Sequence, residues 1–487
     1  MISMLSNNAG EPRGRALVAW LVIIAAGLLT VGMHLFGAAA PADDGEDPVG
    51  LTVMQLQAKS MVGMARSDFL PVDGPSVYAS TRFVLNTGTV GQRQRSIIVA
   101  AELAGAAEAR DELEALEVLI AGEQPELSEG QATVQRILHQ LYPKTAEGDA
   151  DEAAVRAAEA IRPTDRTLLV DELGWFGELA MAPSGSRDAA AREAALRPAR
   201  IAAAIIVAVE VLGLMALAVG FIGLVLVVVF IVTGHLRSGF GAARPWHAVY
   251  AETFAVWLVL FLGLQVPAGW IATPSTEMPV TVVMFFTSLI ALIWPVVRGV
   301  PWAQVRRDIG WTLGRLPWAE PFIGLGAYVM TLPLLAVGLA VTLFLMFIQG
   351  AVAGEQPVFG PTGGPAHPII VDMAGTAVWP KILLLFLAAV AAPIVEETMF
   401  RGVLYRHLRD ASAGLGLAVS VVLSVVLNTF IFAAIHPQGL VAVPALMSLA
   451  CGMALVREWR GTLIPSMVVH GVSNGLIMGT LMIVLTV

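Results

Sequence analysis

Long apolar runs, broken by short polar connections, make up most of this chain. They extend from Ala16 to about Ala40, then near 201–233, 248–271, 278–297, 321–350, 379–400, 413–435, 439–456 and 462–486. About 18 apolar residues in a row are enough for a helix to cross the hydrocarbon core, so the pattern predicts nine spans. Between the first two runs the rhythm changes. Residues 42–196 hold most of the acidic side chains, and from about Ser96 the apolar positions recur at helical spacing. Segments 100–120, 132–142, 151–161 and 164–180 read as amphipathic helices separated by Gly and Pro. There is no clean 34-residue repeat, although paired helices in a short solenoid fit the pattern.

The expected fold is all-α: a multi-pass helical membrane bundle of about nine spans with an inserted α-helical extracytoplasmic domain. Its parts are an N-terminal anchor at 1–41, an acidic helical domain at 42–199, the N-terminal half of the bundle at 200–378 and a C-terminal core at 379–487. Charged residues make up only 14% of the chain, against about 25% in soluble proteins, and mean hydropathy is +0.74. Both agree with a membrane protein. The net charge of −9 argues against a nucleic-acid partner. Cys451 is the only cysteine, which rules out a disulfide within the chain and a cysteine-based zinc site.

Charge in the connections predicts orientation. Arg13 and Arg15 precede the first span and the acidic stretch 41–47 follows it, placing the N-terminus in the cytoplasm. An uncleaved anchor is favoured over a signal peptide, because the run is long and Pro41 would follow the cut. Arg237 and Arg244 follow the second span; Arg298, Arg306, Arg307 and Arg315 follow the fourth. Arg401, Arg406 and Arg409 are read as ending the sixth, and Arg457 and Arg460 the eighth. Every cluster falls on the expected cytoplasmic side, so the acidic domain is placed outside, in an inner (plasma) membrane.

Most other polar or aromatic positions have a bland reading. The charges of 42–196 are read as a solvated helical surface, with docking of a protein partner as the functional alternative. Glu210 and Glu252 are taken as interfacial or paired, and Trp257, Trp270, Trp294, Trp302, Trp311 and Trp318 as interfacial anchors. His367 reads as a loop residue. Segment 301–318 reads as an amphipathic helix on the cytoplasmic surface.

Three motifs on the last spans resist that treatment: Glu396-Glu397-x-x-x-Arg401, Phe432-x-x-x-His436 and His470-x-x-x-Asn474. An ionisable group at the centre of a membrane helix costs roughly 2.5–3.5 kcal/mol on insertion scales, so it marks a functional interior. Arg401 lies one turn after Glu397 and can neutralise it, leaving Glu396 free. A carboxylate partly removed from water is a better base near neutral pH. The set can activate water, with His436 sharing that water or protonating a leaving amine and His470 and Asn474 donating to an oxyanion. Alternatively Glu396, His436 and His470 can ligate a divalent metal such as zinc, with a metal-free route equally open. Neither an HExxH pair nor a Ser–His–Asp set is present.

At EETMFR, FAAIH and HGVSN the chain resembles the CAAX prenyl protease and bacteriocin-processing family, also called CPBP or Abi intramembrane proteases. The resemblance covers about the last 110 residues and implies a helical bundle with an intramembrane peptidase site. Eukaryotic members remove the last three residues of prenylated CAAX proteins. It also implies that Glu396 is the base, Glu397 and Arg401 support it, His436 shares the water, and His470 and Asn474 stabilise the oxyanion. The family is often catalogued as metal-dependent, and a metal-free glutamate mechanism has been proposed for it as well. The expected activity is hydrolysis of a peptide bond in a membrane-embedded or lipidated protein or peptide. The competing class is a non-catalytic membrane scaffold or regulator with a partner-binding outer domain. A transporter ranks third, since half-helix breaks and inverted repeats are not clearly present.

Overall fold

The computed structural model describes residues 14–37, 48–67, 72–85, 88–144, 149–273, 275–353 and 378–486; His367 lies outside them. Every regular element among these residues is helical. Nine of the helices are long and apolar enough to cross a membrane: Ala16–Met33, Ala189–Val232, His247–Ile271, Glu277–Val297, Glu320–Val352, Val378–Ala411, Leu417–Ala434, Leu440–Arg460 and Ile464–Val484. They are called the first to ninth spans below. The described residues divide into two compact units, one drawn mainly from the spans and the other mainly from residues 48–211.

The second unit is a stack of short helices. Thr89 and Ser128 each start a helix with a reciprocal bond to a glutamine three residues on, which satisfies two otherwise orphaned backbone donors. The segments expected as single helices at 100–120 and 164–180 are each divided by a glycine at positive φ, Gly105 (φ 99) and Gly174 (φ 56). Ile97, Leu113, Ile137, Leu138, Leu169 and Phe176 form the centre of its core. Some of its charges are not solvated. Buried Glu102 receives Arg66 and Arg192 at 2.7 and 2.6 Å, and buried Asp165 receives Arg136 and Arg162 at 3.0 and 2.8 Å. A solvated surface therefore describes only part of this charge.

In the membrane unit the sixth span is central. Val395, Met399, Phe400, Val403 and Leu404 pack against Phe254, Trp257, Phe432, Met453 and Val469 from the third, seventh, eighth and ninth spans. Trp257 is buried and donates to Ser288 at 3.0 Å, so it is a core residue rather than an interfacial anchor. Glu252 is paired within the bundle, taking Arg298 and the Trp294 indole at 3.0 Å each.

The arginines of the later spans also differ from expectation. The sixth span continues ten residues past Arg401, to Ala411. Arg401, Arg406, Arg409 and Arg457 are all buried. Each has an internal partner: Glu397 for Arg401, Asp410 for Arg406, Glu458 for Arg409 and the Asp308 carbonyl for Arg457. Arg460 pairs with buried Glu320 at 2.7 Å. They are counterions inside the bundle; among the described arginines between the spans, Arg237, Arg306, Arg307 and Arg315 are exposed.

The connection after the second span is held against these arginines. Ser238 Oγ donates to Glu458 at 2.6 Å, and the Gly239 N–H donates to the Glu458 carbonyl at 2.7 Å. A Cβ on Gly239 would stand 2.6 Å from Gly461 N and Trp459 O, so only glycine fits that approach. Phe240 then lies under Arg457, Arg406 and Arg409, at 4.5, 5.5 and 6.0 Å. These are cation–π distances.

Candidate active site

The local shape of the sixth span follows from one proline. Pro393 has no N–H to offer the preceding turn. The Ala392 N–H bonds Leu387, five residues back, and Leu387–Ala391 is a π-helical turn. Ala392–Glu397 returns to α-helix, and Thr398–Leu404 is again π-helical. Such wide turns inside α-helices are frequent at functional sites. Glu396 and Glu397 sit at the end of the short α segment between them.

The two carboxylates point to different neighbours, since adjacent helical residues are turned about 100° apart. Glu397 is fully buried, and its Oε1 accepts Arg401 Nη1 at 2.9 Å and His470 Nδ1 at 3.0 Å. Arg401 stacks its guanidinium 4.2 Å from the Phe432 ring centre. Its Nε and Nη2, and Glu397 Oε2, make no hydrogen bond among the described residues. Glu396 is half-buried, with Oε2 likewise lacking a hydrogen bond. That oxygen lies 3.7 Å from His436 Nε2 and 3.9 Å from His470 Nε2.

His436 reaches this depth because the sixth and seventh spans form an antiparallel pair. Glu396 lies 15 residues before Ala411 (411 − 396), and His436 lies 19 after Leu417 (436 − 417). The difference is about one helical turn.

Hydrogen bonding assigns both imidazole tautomers. His436 Nδ1 is 2.5 Å from the Phe432 carbonyl, which can only accept, so the hydrogen is on Nδ1. The Glu397 carboxylate imposes the same on His470. In the neutral rings both Nε2 atoms therefore present lone pairs toward Glu396. A neutral His470 cannot donate to an oxyanion from Nε2; only its imidazolium can, and Glu397 stands where it would stabilise that cation.

Glu396, Glu397, Arg401, His436 and His470 thus come together. Asn474 does not join them: its Nδ2 donates to the Ala388 carbonyl at 2.9 Å, two turns before Glu396 on the sixth span. Among the described residues no group of three or more His, Cys, Asp or Glu side chains could hold a metal ion. Glu396, His436 and His470 meet pairwise at the Glu396 carboxylate and do not form such a set as placed.

Three further contacts had no clear signal in the pattern. Trp311, read as an interfacial anchor, donates to Thr398 Oγ1 at 2.9 Å. Asn428, fully buried on the seventh span, donates to the Phe400 carbonyl at 2.8 Å. Gly471 allows the ninth span to approach closely, since a Cβ there would meet the Ala389 carbonyl oxygen at 2.5 Å. Asn428 was at least visible as a lone amide in an apolar run.

Residues 378–476 match a protein-family model described as type II CAAX prenyl endopeptidase Rce1-like. The match includes all three motifs and ends two residues after Asn474 (476 − 474). No curated protein and no solved structure matches the chain.

Proposed function

Starting from an Rce1-like domain at residues 378–476, we propose that this multi-pass membrane protein is an endopeptidase that hydrolyses its substrate with water activated by Glu396. One observation carries the reading. A carboxylate oxygen inside a membrane span, without a hydrogen bond among the described residues, faces two imidazole nitrogens at 3.7 and 3.9 Å. Those gaps exceed a direct hydrogen bond and suit a bridging water.

In the proposed reaction Glu396 removes a proton from that water while the oxygen bonds to the scissile carbonyl carbon. His436 Nε2 accepts a hydrogen bond from the other hydrogen of the water, which leaves a lone pair of the water oxygen aimed at the carbonyl. The charge that develops on the carbonyl oxygen is met by His470 as an imidazolium, whose other nitrogen is bonded to Glu397. Arg401 offsets the Glu397 charge, so that carboxylate steadies His470 rather than competing for the water proton. As the C–N bond breaks, Glu396 returns its proton to the leaving amine, giving a new carboxyl group and a free amine. No step is routed through a metal.

The substrate class that fits is a membrane-embedded or lipidated protein or peptide, because the site lies within a span. We infer that the N-terminus faces the cytoplasm and residues 42–199 the opposite side, where they are available to a protein partner. That orientation rests on the exposed arginines at 237, 306, 307 and 315. The functional test is peptide-library cleavage by the purified protein, wild type against Glu396→Gln. Loss of a general base typically costs about 10²–10⁴-fold. Glu396→Gln should lose at least that much with an unchanged folded yield. Full activity in the variant would remove Glu396 from the role.

A further inference from the structure

The two π-helical turns that flank the catalytic glutamates are each fastened by an asparagine from another span. In the first, the Ala388 carbonyl loses both donors its own helix would supply. Ala392, four residues on, gives its N–H to Leu387, and Pro393, five on, has none. Asn474 Nδ2 fills that place at 2.9 Å. In the second, the Phe400 carbonyl accepts the Tyr405 N–H from five residues on. It takes a second bond, at 2.8 Å, from Asn428 Nδ2. Asn428 is fully buried, and its Oδ1 makes no hydrogen bond among the described residues. A half-satisfied amide in an apolar span is costly, and one with no bond across to another helix would gain nothing from being there.

We propose that Asn428 is a positioning residue for Glu396: by holding the Phe400 carbonyl it fixes the second π-helical turn and so the direction in which Glu396 leaves the helix. Asn474 performs the matching task on the first turn. The Ala392–Glu397 segment is thereby clamped at both ends, at Ala388 eight residues before Glu396 and at Phe400 four residues after it. A lone π-helical turn can relax to α-helix by shifting its carbonyls to nearer donors. That change rotates the residues before the turn against those after it by the angle of the extra residue, about 100°, so relaxation of the second turn swings Glu396 relative to the packed remainder of the span. The clamp opposes this rotation. This inference rests on the endopeptidase reading for its activity arm, and its second arm does not.

The test uses the full-length protein with Asn428→Leu, which removes the donor at similar volume, and Asn428→Gln, which retains an amide. Thr429→Val is the control, a buried neighbour on the same helix whose hydroxyl bonds only Val425 and Val426 of its own turn. Misplacing a reacting group by about 1 Å can cost about 10²-fold. Asn428→Leu should lower kcat by about 10- to 100-fold with KM within about twofold. Asn428→Gln should recover at least a tenth of the wild-type kcat, and Thr429→Val should keep its full value. A fall in kcat that only follows the folded fraction, or an equal fall in Thr429→Val, overturns the proposal.

The second arm is difference infrared titration of the Glu396 carboxyl band, identified by its loss in Glu396→Gln. Its midpoint should move in Asn428→Leu and stay in place in Thr429→Val. If the wild type cleaves nothing, this arm decides alone. An unmoved band overturns the clamp; a moved band upholds it while the endopeptidase reading falls.

Discussion

Breaking the Glu397–Arg401 pair one charge at a time should cost far more than removing both charges together. Both side chains are fully buried, with Nη1 and Oε1 at 2.9 Å. Two charges about 4 Å apart at an effective dielectric of about 20 attract by about 4 kcal/mol. Arg401→Met removes that attraction and leaves Glu397 buried with only His470. It also removes the guanidinium from the face of Phe432, 4.2 Å away. Uncompensated buried charges of this kind cost about 3–5 kcal/mol. In the double variant Glu397→Gln/Arg401→Met no charge remains, and the Gln carbonyl can still accept His470 Nδ1–H. The double should therefore be more stable than the sum of the singles by about 2–3 kcal/mol, the upper part of the usual coupling range. The assay is unfolding of purified protein in mixed micelles by increasing the fraction of denaturing detergent, with cleavage per folded molecule measured on the same samples. Additivity within about 0.5 kcal/mol would mean that the two charges do not sense each other, and the account of the site's inner half would fail.

Three other outcomes are expected. Prolonged chelation should leave cleavage intact, because the proposed steps use no metal; loss restored by added zinc would overturn that reading. In the helical unit, hydrogen bonds from Arg136 and then Arg162 hold Asp165 below the ordinary carboxylate range. Its contribution is present above the unfolded value of about 3.9 and is lost as pH falls through the lower folded value. Hydrogen-exchange protection across residues 163–173 of the full chain, corrected for the intrinsic rate at each pH, should fall as pH drops below about 4, and Asp165→Asn should flatten that response; an unchanged acid limb in Asp165→Asn refutes it. Cysteine placed at exposed Glu126 in a Cys451→Ala background should react with an impermeant reagent on intact cells, and labelling only after permeabilisation would invert the orientation.

The number and type of the spans were legible because lipid demands long apolar helices with few exceptions. The three C-terminal motifs were legible for the complementary reason that polar groups there are rare. The end of the sixth span was not: Arg401, Arg406 and Arg409 carry the signature of a cytoplasmic connection, and only tertiary pairing with Glu397, Asp410 and Glu458 shows them to be internal. The bond Asn474 makes was hidden for a different reason. Spacing puts that residue on one face with His470, but the carbonyl it binds becomes available only through the turn that Pro393 opens, which no i, i+4 rule reports. In the other unit, Glu102 and Arg192 are 90 residues apart (192 − 102), beyond the reach of any local pattern.

The Ser238–Phe240 segment has a bearing on how this protein can be engineered. A connection between two spans is ordinarily where a tag or reporter is inserted, and by composition residues 234–246 look like such a place. Its middle is instead a plug: glycine is sterically required at 239, and the ring at 240 is the shared seat of three guanidiniums. An added loop between Thr233 and Leu236, where the side chains are exposed or half-exposed, leaves that plug seated. The same loop placed three or four residues later would pull it out and remove the aromatic face that Arg406, Arg409 and Arg457 share.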